Sequence, residues 1–267
     1  MNRNSSTQAR VGKIGLFDSG LGGLTILKAV MPALPQYEYR YYGDTAHVPY
    51  GDRSEEEIYE LTKAGVTHLF EEGSVLVILA CNTASSETLR RLQDTFLVEQ
   101  YPDRKILGVI IPTIEEMIQT GAQHPLLIAT KRTVESRKYD IELGKQNITD
   151  IVLTSIAAPG LVPRIEAGDV VWAEQEAAKL IGEGSATYDT VVLGCTHYCL
   201  LKDLLRQRFG ESVNIISQDE IIPRKLAQYL MQHPEIETTL GRGGGYTIHL
   251  TSETPAYRES CAAFLVA

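Results

Sequence analysis

Asp189-Thr190-Val191-Val192-Leu193-Gly194-Cys195-Thr196-His197 is the stretch on which the fold turns. Its apolar run is too short for a helix and stops abruptly at a glycine, a thiol and a polar turn. A short continuous apolar run bounded by turn residues reads as a strand covered on both faces, the habit of parallel sheets. Val75-Leu76-Val77-Ile78-Leu79-Ala80-Cys81-Asn82-Thr83 repeats the pattern. Each segment brings a thiol to the carboxyl end of a strand, where open α/β sheets hold their ligands. Two such thiols point to one site worked from two sides.

Outward from these strands, short apolar runs alternate with amphipathic helical stretches, so the fold class is α/β with mostly parallel sheets. Strands are expected at 13–17, 39–42, 106–110, 126–129, 151–155, 213–216 and 246–250. Ser54-Glu55-Glu56-Glu57 and Thr113-Ile114-Glu115-Glu116 read as capping boxes opening helices. The two halves are in register: Asp18 matches Thr130, and Tyr39 matches Ile151, each 112 residues on. Cys81 matches Cys195 after 114 residues, and Ile106 matches Val213 after 107. The repeat predicts two similar lobes, each a parallel sheet flanked by helices, with a thiol on each facing rim. The expected division is a first lobe of 13–104 plus 217–267, a second of 105–216, and a flexible tail over 1–12.

The 267 residues, 43% of them hydrophobic, suffice for a substantial core. A net charge of −9 argues against nucleic acid as a partner, and an anionic substrate must be attracted locally. No apolar run reaches the length of a membrane span, and the polar start lacks a signal-peptide core. The expectation is a cytoplasmic protein whose four cysteines, Cys81, Cys195, Cys199 and Cys261, stay reduced.

Beside Cys81 stand the amide of Asn82 and the hydroxyl of Thr83; beside Cys195 stand Thr196 and His197. The helix after each turn offers free N–H groups and a positive dipole end, which suits carboxylates and draws a thiol pKa down from about 8.5. His197, two residues from a thiol, is a proton partner. Cys195, His197 and Cys199 lack an evident fourth ligand for a metal. Asp18-Ser19-Gly20-Leu21-Gly22-Gly23 does not complete G-x-G-x-x-G, and an aspartate there is an awkward neighbour for a pyrophosphate. It reads as a close-approach turn that directs Asp18 into the cleft.

Asp18-Ser19-Gly20-Leu21-Gly22-Gly23-Leu24, Pro49-Tyr50-Gly51, Ala80-Cys81-Asn82-Thr83-Ala84-Ser85 and Leu193-Gly194-Cys195-Thr196-His197-Tyr198 together resemble the signature segments of the glutamate racemases, in the cofactor-independent aspartate/glutamate racemase superfamily. The resemblance runs from about Ile14 to Leu201. It implies interconversion of L- and D-glutamate between two lobes, without cofactor, supplying D-glutamate to peptidoglycan, in a homodimer. It implies catalytic Cys81 and Cys195, with Asp18 as proton partner on the Cys81 side and His197 on the Cys195 side. It also implies substrate contacts from Asp18, Ser19, Tyr50, Gly51, Asn82, Thr83, Thr196 and His197. Cys195 would deprotonate L-glutamate and Cys81 D-glutamate. Two positions depart from the pattern: Cys199, where proline commonly follows histidine-tyrosine, and Ala158, where cysteine is frequent.

The chemistry of the residues agrees. Racemisation removes a Cα proton from one face and returns one to the other, so two acid/base groups must flank the carbon. The alternatives are a sister enzyme such as an aspartate racemase, one methylene away in substrate, and a thiol-based redox or carboxylate-binding protein.

Overall fold

The computed structural model describes residues 11–146, 148, 150–182 and 187–266. Its strands are β1 (Lys13–Asp18), β2 (Tyr39–Gly43), β3 (Ser74–Leu79), β4 (Lys105–Gly108), β5 (Pro125–Ala129), β6 (Thr154–Ala157), β7 (Thr190–Gly194), β8 (Asn214–Ile216) and β9 (Tyr246–Leu250). They form two sheets, β4-β3-β1-β2-β9 and β6-β5-β7-β8. Every pairing in both is parallel. Read from its other end the second sheet is β8-β7-β5-β6, strand for strand the order β4-β3-β1-β2 of the first. The repeat seen in the spacing is therefore a repeat of topology, with the cysteine strands β3 and β7 in equivalent places.

One expected boundary is wrong. The segment 105–108 does not open the second lobe; it pairs with β3 and closes the edge of the first sheet. The repeat itself requires this, because its partner β8 closes the edge of the second sheet beside β7. The chain then returns: β9 adds to β2 in the first sheet. Of the expected flexible tail, residues 1–10 lie outside the described residues. Gly12 is not loose: it bridges Leu240, donating to Thr239 O at 2.9 Å and accepting from Gly241 N at 2.8 Å.

Local chemistry explains where helices start and break. Ser54 and Glu57 form the expected reciprocal capping box. Thr113 caps nothing: the helix runs Ile110–Gln119, and the Thr113 hydroxyl instead donates to Val109 O, one turn back, at 2.7 Å. Two helices, Leu161–Glu166 and Val170–Ile181, are separated by Gly168 at φ 81°. That position favours glycine. The break leaves Glu166 at a helix end.

The pleat sorts side chains onto two faces. Ile14 and Leu16 of β1, with Leu76 and Ile78 of β3, join a core shared with Leu126, Ile128, Val191 and Leu193 of the second sheet. Phe17, Val77, Leu79 and Cys81 face a second apolar layer with Tyr50, Ile58 and Phe96. The lobes therefore share buried apolar surface as well as a cleft. Among the described residues, no helix is long and apolar enough to cross a membrane.

Candidate active site

Cys81 follows β3 and caps the helix Asn82–Arg91, its sulfur accepting from Ala84 N at 3.5 Å. The thiol donates to Ser19 Oγ at 3.4 Å. Cys195 follows β7, and its sulfur lies 3.7 Å from His197 Nδ1. Both cysteines, with Ser19, Tyr50, Gly51, Asn82, Thr83, Thr130, Ala158, Thr196 and His197, line one cavity of about 90 Å³ between the two sheets' carboxyl ends. All four cysteines are free thiols. A larger cavity of about 460 Å³, bordered by Leu107, Pro112, Ile222 and Leu226, contains no cysteine. The chemistry belongs to the smaller one, where the titratable groups converge.

The Cys195 rim is ionic. His197 is buried and its Nε2 meets Glu166 Oε1 at 2.9 Å. Burial alone would lower the imidazole pKa. Its bonds to Cys195 and Glu166 outweigh that and hold it well above the ordinary value. Both ring nitrogens have a partner, Nδ1 the Cys195 sulfur and Nε2 the Glu166 carboxylate. Glu166 Oε1 also accepts from Leu21 N at 3.3 Å, which ties the pair to the loop after β1.

The Cys81 rim is neutral. Burial first, then the charge of Asp18, pushes this thiol up to about 12, against smaller lowering effects of Ser19 and Ala84. The expected lowering by the helix N-terminus is thus overturned. The cause is burial of Cys81, a residue only 6% exposed, with a single long N–H contact to set against its desolvation. Asp18 is fully buried; its Oδ1 accepts from Gly20 N at 2.9 Å and its Oδ2 from Thr196 Oγ1 at 3.2 Å. Burial raises its pKa, partly offset by His197 and by the N–H groups of Gly20 and Gly23. The hydrogen bonds of Asp18 therefore reach towards the Cys195 rim, while Ser19 is the residue bonded to Cys81.

The glycines of this loop permit close approach. A Cβ on Gly22 would lie 2.6 Å from His197 Nδ1, and one on Gly20 2.9 Å from Val48. The first-lobe loop thus presses directly on the second-lobe Thr196-His197 turn, as a close-approach turn and not a phosphate loop.

The remaining expected residues are present with altered duties. Tyr50 is buried, and its hydroxyl donates to Asp44 Oδ2 at 2.7 Å. Burial and that carboxylate raise its pKa far above the ordinary value. Gly51 lies against Thr130 of the opposite lobe. Thr83 Oγ1 meets Thr130 Oγ1 at 2.9 Å and Thr133 Oγ1 at 3.3 Å, a hydroxyl contact across the lobes. Asn82 points its carboxamide to a buried network: Nδ2 donates to Gln218 Oε1 at 2.7 Å, and Oδ1 accepts from Gln218 Nε2 at 2.9 Å and Tyr139 OH at 2.8 Å. The N–H groups of Asn82 and Thr83 open the helix and have no intrahelical acceptor. Cys199 is turned away from Cys195, to Ser217 and Asp219.

Sequence reasoning missed Glu166, Thr130 and Gln218. Thr130 carried a signal, since the repeat matched it to Asp18. Glu166 and Gln218 carried none: each is a polar residue in a helical pattern, and only tertiary packing makes it a neighbour of the site.

Comparison with known proteins agrees with this geometry. The family model described as Asp/Glu/Hydantoin racemase matches residues 25–221. A glutamate racemase of Roseobacter denitrificans is 40% identical, over 91% of this chain and 92% of its own length. A glutamate racemase isoform of Bacillus anthracis superposes with a TM-score of 0.85 at 29% identity, covering 96% of this chain and 94% of that one. A Francisella tularensis glutamate racemase, solved in complex with D-glutamate, gives 0.83 at 26% identity over 97% and 95%.

Proposed function

This chain belongs to the Asp/Glu/hydantoin racemase family, and we propose that it interconverts L- and D-glutamate by proton transfer between Cys81 and Cys195. The observation that carries this reading is the single cavity onto which a thiol from each lobe opens. In the L-to-D direction the Cys195 thiolate takes the Cα proton and becomes a thiol. The electron pair left on Cα delocalises into the substrate carboxylate. The Cys81 thiol gives its proton to the opposite face and becomes a thiolate. The D-to-L direction runs the same transfers backwards.

The two rims suit these roles. Cys81, held as a thiol, is an acid ready to donate. Cys195 has a protonated His197 beside it to compensate charge on sulfur. The N–H groups of Asn82 and Thr83 and the hydroxyls of Ser19, Thr83 and Thr130 supply donors for a carboxylate and for its charge in the transition state, with Thr196 holding Asp18 beside them. In this reading Asp18, whose carboxylate stands behind Ser19 and Thr196, is the acidic partner of the substrate ammonium group. Restoring the starting protonation needs only proton exchange, so the reaction calls for no redox step and no electron-sink cofactor. In the same reading the protein works in the cytoplasm as a homodimer and its D-glutamate feeds peptidoglycan synthesis and so cell shape.

The test is Cα–deuterium incorporation in D₂O, with each glutamate enantiomer and each aspartate enantiomer, no cofactor added. Exchange and racemisation of glutamate are expected, unchanged by reductant. Cys81→Ser and Cys195→Ser should each lower racemisation by about 10²–10⁴-fold. Exchange of aspartate alone would move the protein to a sister activity, and no exchange of either would end the racemase reading.

A further inference from the structure

We propose that Gln218 is a positioning residue for Cys81, acting through a reciprocal amide pair with Asn82. Gln218 opens the helix Gln218–Gln232, far along the chain from Cys81, and is fully buried. Its Oε1 accepts from Asn82 Nδ2 at 2.7 Å and its Nε2 donates to Asn82 Oδ1 at 2.9 Å. Two antiparallel amide bonds fix the orientation of Asn82 as one bond cannot. Nε2 also reaches Thr113 Oγ1 at 3.3 Å and Tyr139 OH at 3.5 Å, and Tyr139 OH donates to Asn82 Oδ1 at 2.8 Å. Helices Lys138–Gly144 and Gln218–Gln232 thus bond to one side chain of the helix Asn82–Arg91, and Thr113 of the helix Ile110–Gln119 braces Gln218.

That side chain is the one next to the thiol. Cys81 caps the helix whose first residue is Asn82, and the contact on its sulfur is the N–H of Ala84, two residues further. A rotation of this first turn moves the sulfur, the N–H beside it and the free N–H groups together. Asn82 is 2% exposed, so without Gln218 its amide has no water to turn to and must swing or drag the turn with it. The turn of Cys195 is held by other groups, the His197–Glu166 pair and the bond from Thr196 to Asp18. The Gln218 amide therefore acts on one of the two proton transfers.

This inference rests on the two-cysteine reading above, with Cys81 serving D-glutamate. The equilibrium between enantiomers ties kcat/KM in one direction to kcat/KM in the other, so a one-sided defect shows in isotope effects. Gln218→Leu and the near-isosteric Gln218→Glu are to be assayed with glutamate deuterated at Cα, from each enantiomer. A displacement of Cys81 lowers kcat/KM by about ten- to hundred-fold in both directions. It makes the Cys81 transfer the slower step: the substrate isotope effect rises from D-glutamate and falls from L-glutamate. If the two cysteines serve the opposite enantiomers, the same shifts appear with the enantiomers exchanged, which corrects the assignment and leaves the clamp standing. Isotope effects unchanged from wild type in soluble, folded Gln218→Glu overturn the proposal, whether or not activity falls. Should Gln218→Leu not fold, Tyr139→Phe removes one bond to Asn82 and should shift the isotope effects in the same sense by less; no shift there, with none in Gln218→Glu, is the same refutation.

Discussion

The two rims of the cleft share a topology and differ in electrostatics. Each ends a central parallel strand, β3 or β7, on a cysteine followed by a one-sided polar turn. On the first, Cys81 touches a hydroxyl and a backbone N–H, and burial holds it as a thiol. On the second, Cys195 touches an imidazole whose pKa is held up by Cys195 itself and by the buried Glu166 carboxylate. A duplicated scaffold thus carries a buried thiol on one side and, on the other, a thiol beside the His197–Glu166 pair. The difference lies in the second layer of residues, Asn82–Gln218 against His197–Glu166, and not in the cysteines or their strands.

The sharpest way to break the comparison is to damage one rim from the opposite lobe. Gly22 belongs to the first lobe, yet a Cβ there would meet the Thr196 hydroxyl first and then His197 Nδ1 at 2.6 Å. Gly22→Ala should push the Thr196-His197 turn off Cys195 and lower kcat by about a hundred-fold, with the far-ultraviolet circular dichroism of the wild type. A variant with wild-type kcat would mean that this turn is not needed where it stands.

A smaller effect isolates charge from shape. Glu166→Gln keeps the size of the side chain and removes the charge that holds His197 protonated. An activity loss of about ten-fold is expected, within the range of general acid–base effects. The alkaline limb of the kcat/KM profile should move to lower pH. Stability carries the same sign. The folded pKa of His197 is raised, so its contribution is complete below the ordinary imidazole value of about 6.5 and is lost as pH climbs through the folded value. The gap in unfolding free energy between wild type and variant should be wider at pH 6 than at pH 10. A gap independent of pH in urea titrations would show that the pair is structural only.

Much of this was legible in the sequence because it depends on short-range rules. The alternation of strands and helices, the two-lobe repeat and both cysteine turns follow from apolar runs and spacing, but the match of Tyr39 to Ile151 is out by three residues, since the sixth strand begins at Thr154. The boundary at 105 failed for a physical reason: an edge strand of a parallel sheet reads like any other, and only its pairing partner tells which sheet it joins. The acidity of Cys81 failed because the helix N-terminus is a local signal while desolvation is a property of the packed site. Asn82 was rightly placed beside the thiol, but its carboxamide faces Gln218, 136 residues away in the chain. Long-range partners of this kind, Glu166 for His197 and Gln218 for Asn82, leave no periodic or compositional trace.

The smallest expected effect concerns the hydroxyls that join the rims. Thr83, Thr130 and Thr133 make a closed triangle of oxygens at 2.9, 3.3 and 2.9 Å. Each hydroxyl can donate once and accept from the others, so removing one leaves the remaining two bonded. Thr83→Val should therefore cost about 0.5–1.5 kcal/mol of stability, the net worth of an ordinary hydrogen bond. Its effect on glutamate should be on KM, by about five-fold, because a lost donor to a bound carboxylate is felt equally in ground and transition states. Thr196→Val is the contrasting variant: its hydroxyl is a donor to the buried carboxylate of Asp18, and no neighbouring hydroxyl duplicates that bond in the site. There the loss should fall on kcat as well. If Thr83→Val instead lowered kcat as much as Thr196→Val, the two rims would share the work of stabilising charge, and the neutral character assigned to the Cys81 side would be wrong.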